Sequence, residues 1–135
     1  MFAYERKVHF EDVDAAGIVF FARYLNYCHE AMEAFFGPLE GGYERLITER
    51  HIGLPAVHVE VDYRGPLRYG DQVTLHVTIP HVGRSSTKLK YDFFRKRDGA
   101  HVATVVHTCA VSDLTILKSI TIPDDMRALL LQHAP

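Results

Sequence analysis

Two carboxylates, Asp12 and Asp14, open the string Asp12-Val13-Asp14-Ala15-Ala16-Gly17-Ile18-Val19-Phe20-Phe21-Ala22-Arg23-Tyr24. They stand where a strand-like segment, Val8 to Asp12, gives way to a Gly-bearing turn and then to an apolar run that opens a long helix. A helix start carries unpaired backbone N–H groups and a partial positive charge of about +0.5. Such groups polarise a carbonyl while a neighbouring carboxylate attacks it or activates water against it. The structural alternative is that one of the aspartates simply caps the turn or the helix. Alternation puts Val8, Phe10 and Asp12 on one strand face, with His9 and Glu11 on the other, so Asp12 points inward or caps the turn. Asp14 lies beyond the strand, in the loop.

Other chemistry-bearing residues read differently. Cys28 falls on the apolar side of the expected helix and Cys109 within a strand. Neither sits in a CxxC or other metal spacing, so both read as buried thiols of a reducing cytosol. No G-x-S-x-G elbow is present, which leaves an α/β-hydrolase scheme without support. Nine histidines are scattered, with no H-x-x-x-H pair and no H-E-x-x-H motif. His101 and His107 fall on one strand face, too far apart to share an ion. No metal and no cofactor are expected. His58 stands on a strand able to border a substrate pocket. Arg84, Lys88 and Lys90 lie in or after one turn, and Arg64 and Arg68 flank another.

The elements that must position these groups follow from periodicity. Residues 4–12 read as a first strand. Residues 22–36 read as a helix with Tyr24, Tyr27 or Cys28, Ala31, Ala34 and Phe35 at spacings of three and four, stopped by Gly37-Pro38. A shorter helix runs from about Tyr43 to Arg50, after Gly41-Gly42. From Leu54 the period changes to two. Val57, Val59, Val61 and Tyr63 alternate with His58, Glu60, Asp62 and Arg64, and Val73, Leu75, Val77 and Ile79 alternate with polar residues. Further strands are expected at 86–96, 102–112 and 117–122, with Arg97-Asp98-Gly99 as a hairpin turn. A terminal helix opens at Pro123 with Met126, Leu129 and Leu130 as its stripe. One strand, one long aromatic-rich helix and a run of antiparallel strands predict an α+β domain whose five- to six-stranded sheet wraps the helix. An open edge strand then predicts a homo-oligomer.

Composition sets the outer limits. The chain has 135 residues, 47% of them hydrophobic, enough for one domain with its own core. Its formal net charge of -2 argues against general nucleic-acid binding. No apolar run approaches the ~20 residues of a membrane span. The first residues, Met-Phe-Ala-Tyr-Glu-Arg-Lys, read as a strand and not as a targeting segment, which predicts a cytoplasmic protein.

The Asp12–Tyr24 string resembles the signature of hotdog-fold thioesterases. It is most similar to the 4-hydroxybenzoyl-CoA thioesterase branch, and within it to the acyl-CoA thioesterases associated with the Tol–Pal system. Tyr69-Gly70-Asp71 is similar to the Y-G-D turn of that family, Gly83-Arg84-Ser85-Ser86 to its G-R-S-S turn, and the strand order agrees throughout. The resemblance implies a helix wrapped by a sheet, dimers with active sites across the interface, and hydrolysis of acyl-CoA thioesters. It implies Asp14 as the catalytic carboxylate, a carbonyl-polarising N–H near Phe21, and Gly17 in the same loop. Arg84, with Ser85 and Ser86, maps to the turn that meets the CoA phosphates, and CoA is then part of the substrate. Between Val19 and Tyr24 the Tol–Pal members carry a His, where this chain has Phe20-Phe21-Ala22, as in the aryl-specific members. Family dimers associate further in several ways, so the expected assembly is a dimer or a homotetramer.

Asp14 has two workable roles, nucleophile through a mixed anhydride or general base on water. Phe20, Phe21, Val57 and Val59 suggest an apolar acyl pocket. Two other functions fit the fold. A hydratase or dehydratase would want a His base near the loop, which the 12–24 stretch lacks. A non-catalytic acyl-thioester-binding protein would need no carboxylate at position 14.

Overall fold

The computed structural model describes residues 1–135. Strands β1 (Phe2–Lys7), β3 (Ala56–Tyr63), β4 (Gln72–Val82), β5 (Ser86–Arg95) and β6 (His101–Ala110) form one antiparallel sheet in the order β1-β4-β5-β6-β3. Helix α1 (Arg23–Phe35) lies in the concave face of that sheet. This is the wrapped-helix, hotdog arrangement that the sequence predicts. Short strands β2 (Ile52–Gly53), β7 (Ser112–Asp113) and β8 (Lys118–Ser119) make a small second sheet, and helices α2 (Gly42–Thr48) and α3 (Asp124–Gln132) pack at the margins.

Periodicity explains the core. Val73, Leu75, Val77 and Ile79 of β4 turn to the helix, as do Leu89, Tyr91 and Phe93 of β5 and Ala103 and Val105 of β6. They meet Tyr24, Tyr27, Cys28, Ala31, Met32 and Phe35 of α1, spaced by three and four. A large apolar side chain so buried contributes roughly 1.5–3 kcal/mol. Phe35 is braced edge-on by both Phe2 and Phe36 at 5.7 and 5.1 Å between centroids.

Three sequence expectations need correction. The first strand ends at Lys7, and Phe10–Asp12 form a 3-10 turn instead of its continuation. The cause is the Asp12 side chain, which accepts the His9 N–H at 2.8 Å and pulls the backbone round. Phe10 consequently stands 75% exposed, not beside buried Val8. The expected strand 117–122 contracts to Lys118–Ser119, because Leu117 takes a positive φ of 54° that no extended chain adopts. Finally, His101 and His107 do not share a face. The register jumps from Phe93↔Ala103 to Phe94↔His101, and this bulge turns His101 outward, onto Phe94 and Asp92, while His107 faces inward against Tyr91. Strand β4 also runs on to Val82, three residues past Ile79, and β2 was not expected, while the bounds of α1, α2, β3, β5 and β6 fall within one to two residues of expectation.

Candidate active site

The loop between β1 and α1 is a small hairpin. The Phe20 N–H donates to the Asp12 carbonyl at 3.0 Å, Val13 pairs with Val19, and the Asp14 N–H donates to the Ile18 carbonyl at 3.0 Å. Gly17 turns the hairpin with φ +78°, and its N–H donates to the Asp14 carbonyl at 2.9 Å. Only glycine adopts that φ without strain, so the residue type follows from the turn. The outer arm is stitched down by the Val19 N–H on the Leu67 carbonyl at 2.8 Å and by a bridge from Ile18 to Arg68. The hairpin therefore holds Asp14 opposite Ile18, in the segment that leads into α1.

The two aspartates have opposite environments. Asp12 is 1% exposed. Its Oδ2 takes the Tyr27 hydroxyl at 2.8 Å, the His9 N–H at 2.8 Å and the Arg6 guanidinium at 2.8 Å. Burial alone raises its pKa, but these donors together outweigh burial and hold the carboxyl below the ordinary carboxylate range. Asp12 is a buried carboxylate whose Oδ2 is saturated by three donors that tie the loop to β1 and α1. Asp14 is exposed, and Oδ1 accepts the Ala16 N–H at 2.8 Å. Its Oδ2 has no donor within the chain, leaving one oxygen for chemistry.

Helix α1 begins without a side-chain cap at Ala22 and without an acidic residue in its first turn. The Phe21 and Ala22 N–H groups have no acceptor within the chain. An uncapped start leaves its donors and its positive end available to a developing oxyanion. Phe21, 66% exposed, lines a cleft of about 320 Å³ with Ile18, Val19, Tyr24, Tyr63 and Pro66. Phe20 stands edge-on to Phe21 at 5.0 Å. Asp14 and Gly17 thus lie at the tip of the hairpin, and Phe20 and Phe21 follow its second arm into α1.

Arg84 and Ser85 lie in the β4–β5 turn, and Ser86 opens β5, at the other end of the sheet. Arg127 of α3 donates to the carbonyls of Gly83 and Arg84 at 3.0 and 3.1 Å, and the Ile122 N–H adds a bond to Arg84 at 2.8 Å. The Arg84 guanidinium reaches Thr121 at 3.3 Å and is otherwise solvent-facing. His58 lies on the face of β3 away from α1, paired with Glu60 at 3.0 Å. Within one chain, neither the Arg84 turn nor His58 is brought to Asp14.

The cysteines are buried free thiols. Burial pushes the Cys109 thiol up to about 12 and the Cys28 thiol well above its usual value. Neither supplies a thiolate near neutral pH. Sequence reasoning missed Arg6 and Tyr63. Tyr63 closes the inward alternation of β3, so its direction was readable. Its partner, the Phe21 carbonyl at 2.7 Å, lies 42 residues away and was not.

The sequence pattern of the thioesterase-like superfamily matches residues 8–130. The chain belongs to the thioesterase-like superfamily. Among its relatives, a 1,4-dihydroxy-2-naphthoyl-CoA hydrolase of Trichodesmium erythraeum is 35% identical over 111 residues, 80% of each chain. The corresponding hydrolase of Synechococcus elongatus is 32% identical, over 82% of each. Two solved structures are similar throughout. A 1,4-dihydroxy-2-naphthoyl-CoA thioesterase from Synechocystis superposes with a TM-score of 0.87 at 25% identity, covering 96% of this chain and 95% of that one. A gentisyl-coenzyme A thioesterase superposes with a TM-score of 0.84 at 29% identity, covering 93% and 98%.

Proposed function

We propose that this thioesterase-like protein hydrolyses aryl-CoA thioesters, with Asp14 as the catalytic carboxylate and the start of α1 as the oxyanion site. Hydrolysis of acyl-CoA thioesters is the activity of the chain. The aryl preference, the residue roles and the assembly are our reading. The observation that supports it is the hairpin, which joins an Asp14 whose Oδ2 has no donor to a helix start with unclaimed N–H groups. Relatives named for naphthoyl-CoA and gentisyl-CoA esters support an aromatic acyl group, as does the aromatic lining of the cleft by Phe21, Tyr24 and Tyr63. Phe20-Phe21-Ala22 stands where Tol–Pal-associated members have a His, which favours the aryl-specific, 4-hydroxybenzoyl-CoA side of the family.

The chemistry needs little else. The thioester oxygen accepts the Phe21 N–H, and such a donor is worth roughly 3 kcal/mol in the transition state. Asp14 Oδ2 either attacks the carbonyl carbon, expelling the CoA thiolate and leaving an anhydride for water to cleave, or takes a proton from attacking water. Both routes end in a carboxylic acid and free CoA.

The site is completed by a second copy. Strand β3 is an edge strand, with Val57 64% and Val59 41% exposed on the side of α1. Two-fold antiparallel pairing through β3 covers that edge and joins the sheets. It also sets the Ala56 end of one β3 against the Tyr63 end of the other. Ala56 is in register with Cys109, Cys109 with Thr87, and Thr87 with Val82, next to the Arg84 turn. Arg84 of the partner subunit is thereby carried toward Asp14, where it meets the CoA phosphates. Two such dimers make the tetramer. The two buried free thiols suit a reducing, cytoplasmic setting.

The test is thiol release from benzoyl-, hydroxybenzoyl-, short-aliphatic and long-aliphatic CoA, with wild type and Asp14→Asn side by side. The expected result is selective aryl-CoA turnover that Asp14→Asn loses at least about 1,000-fold, with its melting temperature unchanged. Equal turnover by the variant removes Asp14 from the mechanism. Tight CoA binding without turnover of any ester favours a binding protein.

A further inference from the structure

Tyr63 closes strand β3, and its hydroxyl donates to the Phe21 carbonyl at 2.7 Å. Its ring stands edge-on to buried Tyr24 at 5.0 Å and 87°, so the phenol is aimed by a fixed neighbour. The Phe21 carbonyl has no other donor. In a regular helix the Leu25 N–H would reach it, but that N–H bonds the Ala22 carbonyl at 3.1 Å instead. The first turn of α1 thus skips Phe21, and the side chain of β3 takes over. Both groups are solvent-accessible, so water alone would satisfy the carbonyl. What water does not do is fix its direction.

Direction matters because of the peptide planes. In a trans peptide, C=O and N–H point opposite ways. The Phe20 carbonyl, held by the Arg23 N–H at 2.9 Å, sets the plane that carries the Phe21 N–H. The Phe21 carbonyl, held by Tyr63, sets the next plane, which carries the Ala22 N–H. We propose that Tyr63 is a positioning residue for thioester hydrolysis, its hydroxyl orienting the Phe21–Ala22 peptide so that α1 opens with two aligned donors for the carbonyl oxygen. The inference rests on the reading of the α1 start as the oxyanion site.

Tyr63→Phe keeps the ring and its packing on Tyr24 and removes only the hydroxyl. For benzoyl-CoA the variant is expected to lose about tenfold in kcat, with KM within about twofold, since a donor out of line forfeits part of its transition-state effect. An unchanged kcat with a lowered melting temperature, or a rise in KM alone, overturns the proposal. A second readout does not depend on turnover. A ketone analogue of benzoyl-CoA, with a methylene between sulfur and carbonyl, is bound to each protein and its carbonyl stretch recorded. The band is expected at lower frequency in wild type than in Tyr63→Phe, and the same frequency in both overturns the assignment. A wild type that binds the ketone but turns over no ester refutes the hydrolase reading, while the band still decides the role of Tyr63. A wild type that does neither refutes both.

Discussion

The Tyr27 hydroxyl and the Asp12 carboxylate are joined at 2.8 Å, and this bond ties the middle of α1 to the loop that carries Asp14 two residues further on. Arg6 completes the network, reaching Asp12 at 2.8 Å and Glu30 at 3.0 Å with its guanidinium over the Tyr27 ring at 4.4 Å. The strand, the loop and the helix are thus tied together by one partly buried ionic cluster.

Removing Asp12 leaves a mostly buried guanidinium with one partner fewer. Asp12→Ala is expected to cost about 3 kcal/mol, read from urea unfolding at pH 7. The pH dependence has a definite sign. The folded carboxyl titrates below the unperturbed 3.8, so its stabilisation is present above about pH 4 and is lost as pH falls through the depressed folded value. Asp12→Asn should flatten the acid limb of a stability–pH curve, and an unaltered limb would show that other carboxylates govern it.

Gly17 tests the hairpin without touching a side chain. A Cβ there meets nothing within 4 Å, so any effect of Gly17→Ala comes from the φ of +78°. The expected stability loss is about 1 kcal/mol. Relaxation of the turn should also misplace Asp14, so kcat falls more than stability explains. A variant with full kcat would mean that the turn has no part in aiming the carboxylate.

The exposed edge of β3 gives a test of assembly. A charge at Val59, as in Val59→Asp, faces the covered side of the joined sheets. It is expected to shift the protein to monomers in sedimentation and to abolish turnover, while circular dichroism remains that of a folded chain. Active monomers would refute the shared site.

Arg84 separates phosphate recognition from acyl recognition. Arg84→Ala is expected to raise KM for a CoA ester about tenfold, the scale of one charge-assisted contact. The KM for an aryl thioester truncated before the phosphates should be unchanged. Equal effects on both would take Arg84 out of phosphate binding.

The fold was legible because its signals are local. Spacing of three and four drew α1, and alternation drew β3 to β6. Turn residues such as Arg97-Asp98-Gly99 marked the hairpin, where Gly99 has φ +71°. The loop position of Asp14 was legible because readable elements flank it. The end of β1 was not, since its alternation is overridden by a tertiary network that recruits Arg6 and Tyr27 to Asp12. Tyr63 was half legible: alternation gives the face, but its acceptor depends on how the first turn of α1 closes. The outward place of His58 follows from the same alternation, opposite Val57, Val59 and Val61.

The Arg127 guanidinium clasps the carbonyls of Gly83 and Arg84 from the far end of the chain. If that turn serves the neighbouring subunit's pocket, the C-terminal helix acts as a splint for a catalytic centre to which it contributes no atom. Sequence drift in α3, or an affinity handle fused behind Pro135, would then register as altered coenzyme affinity in the opposite subunit.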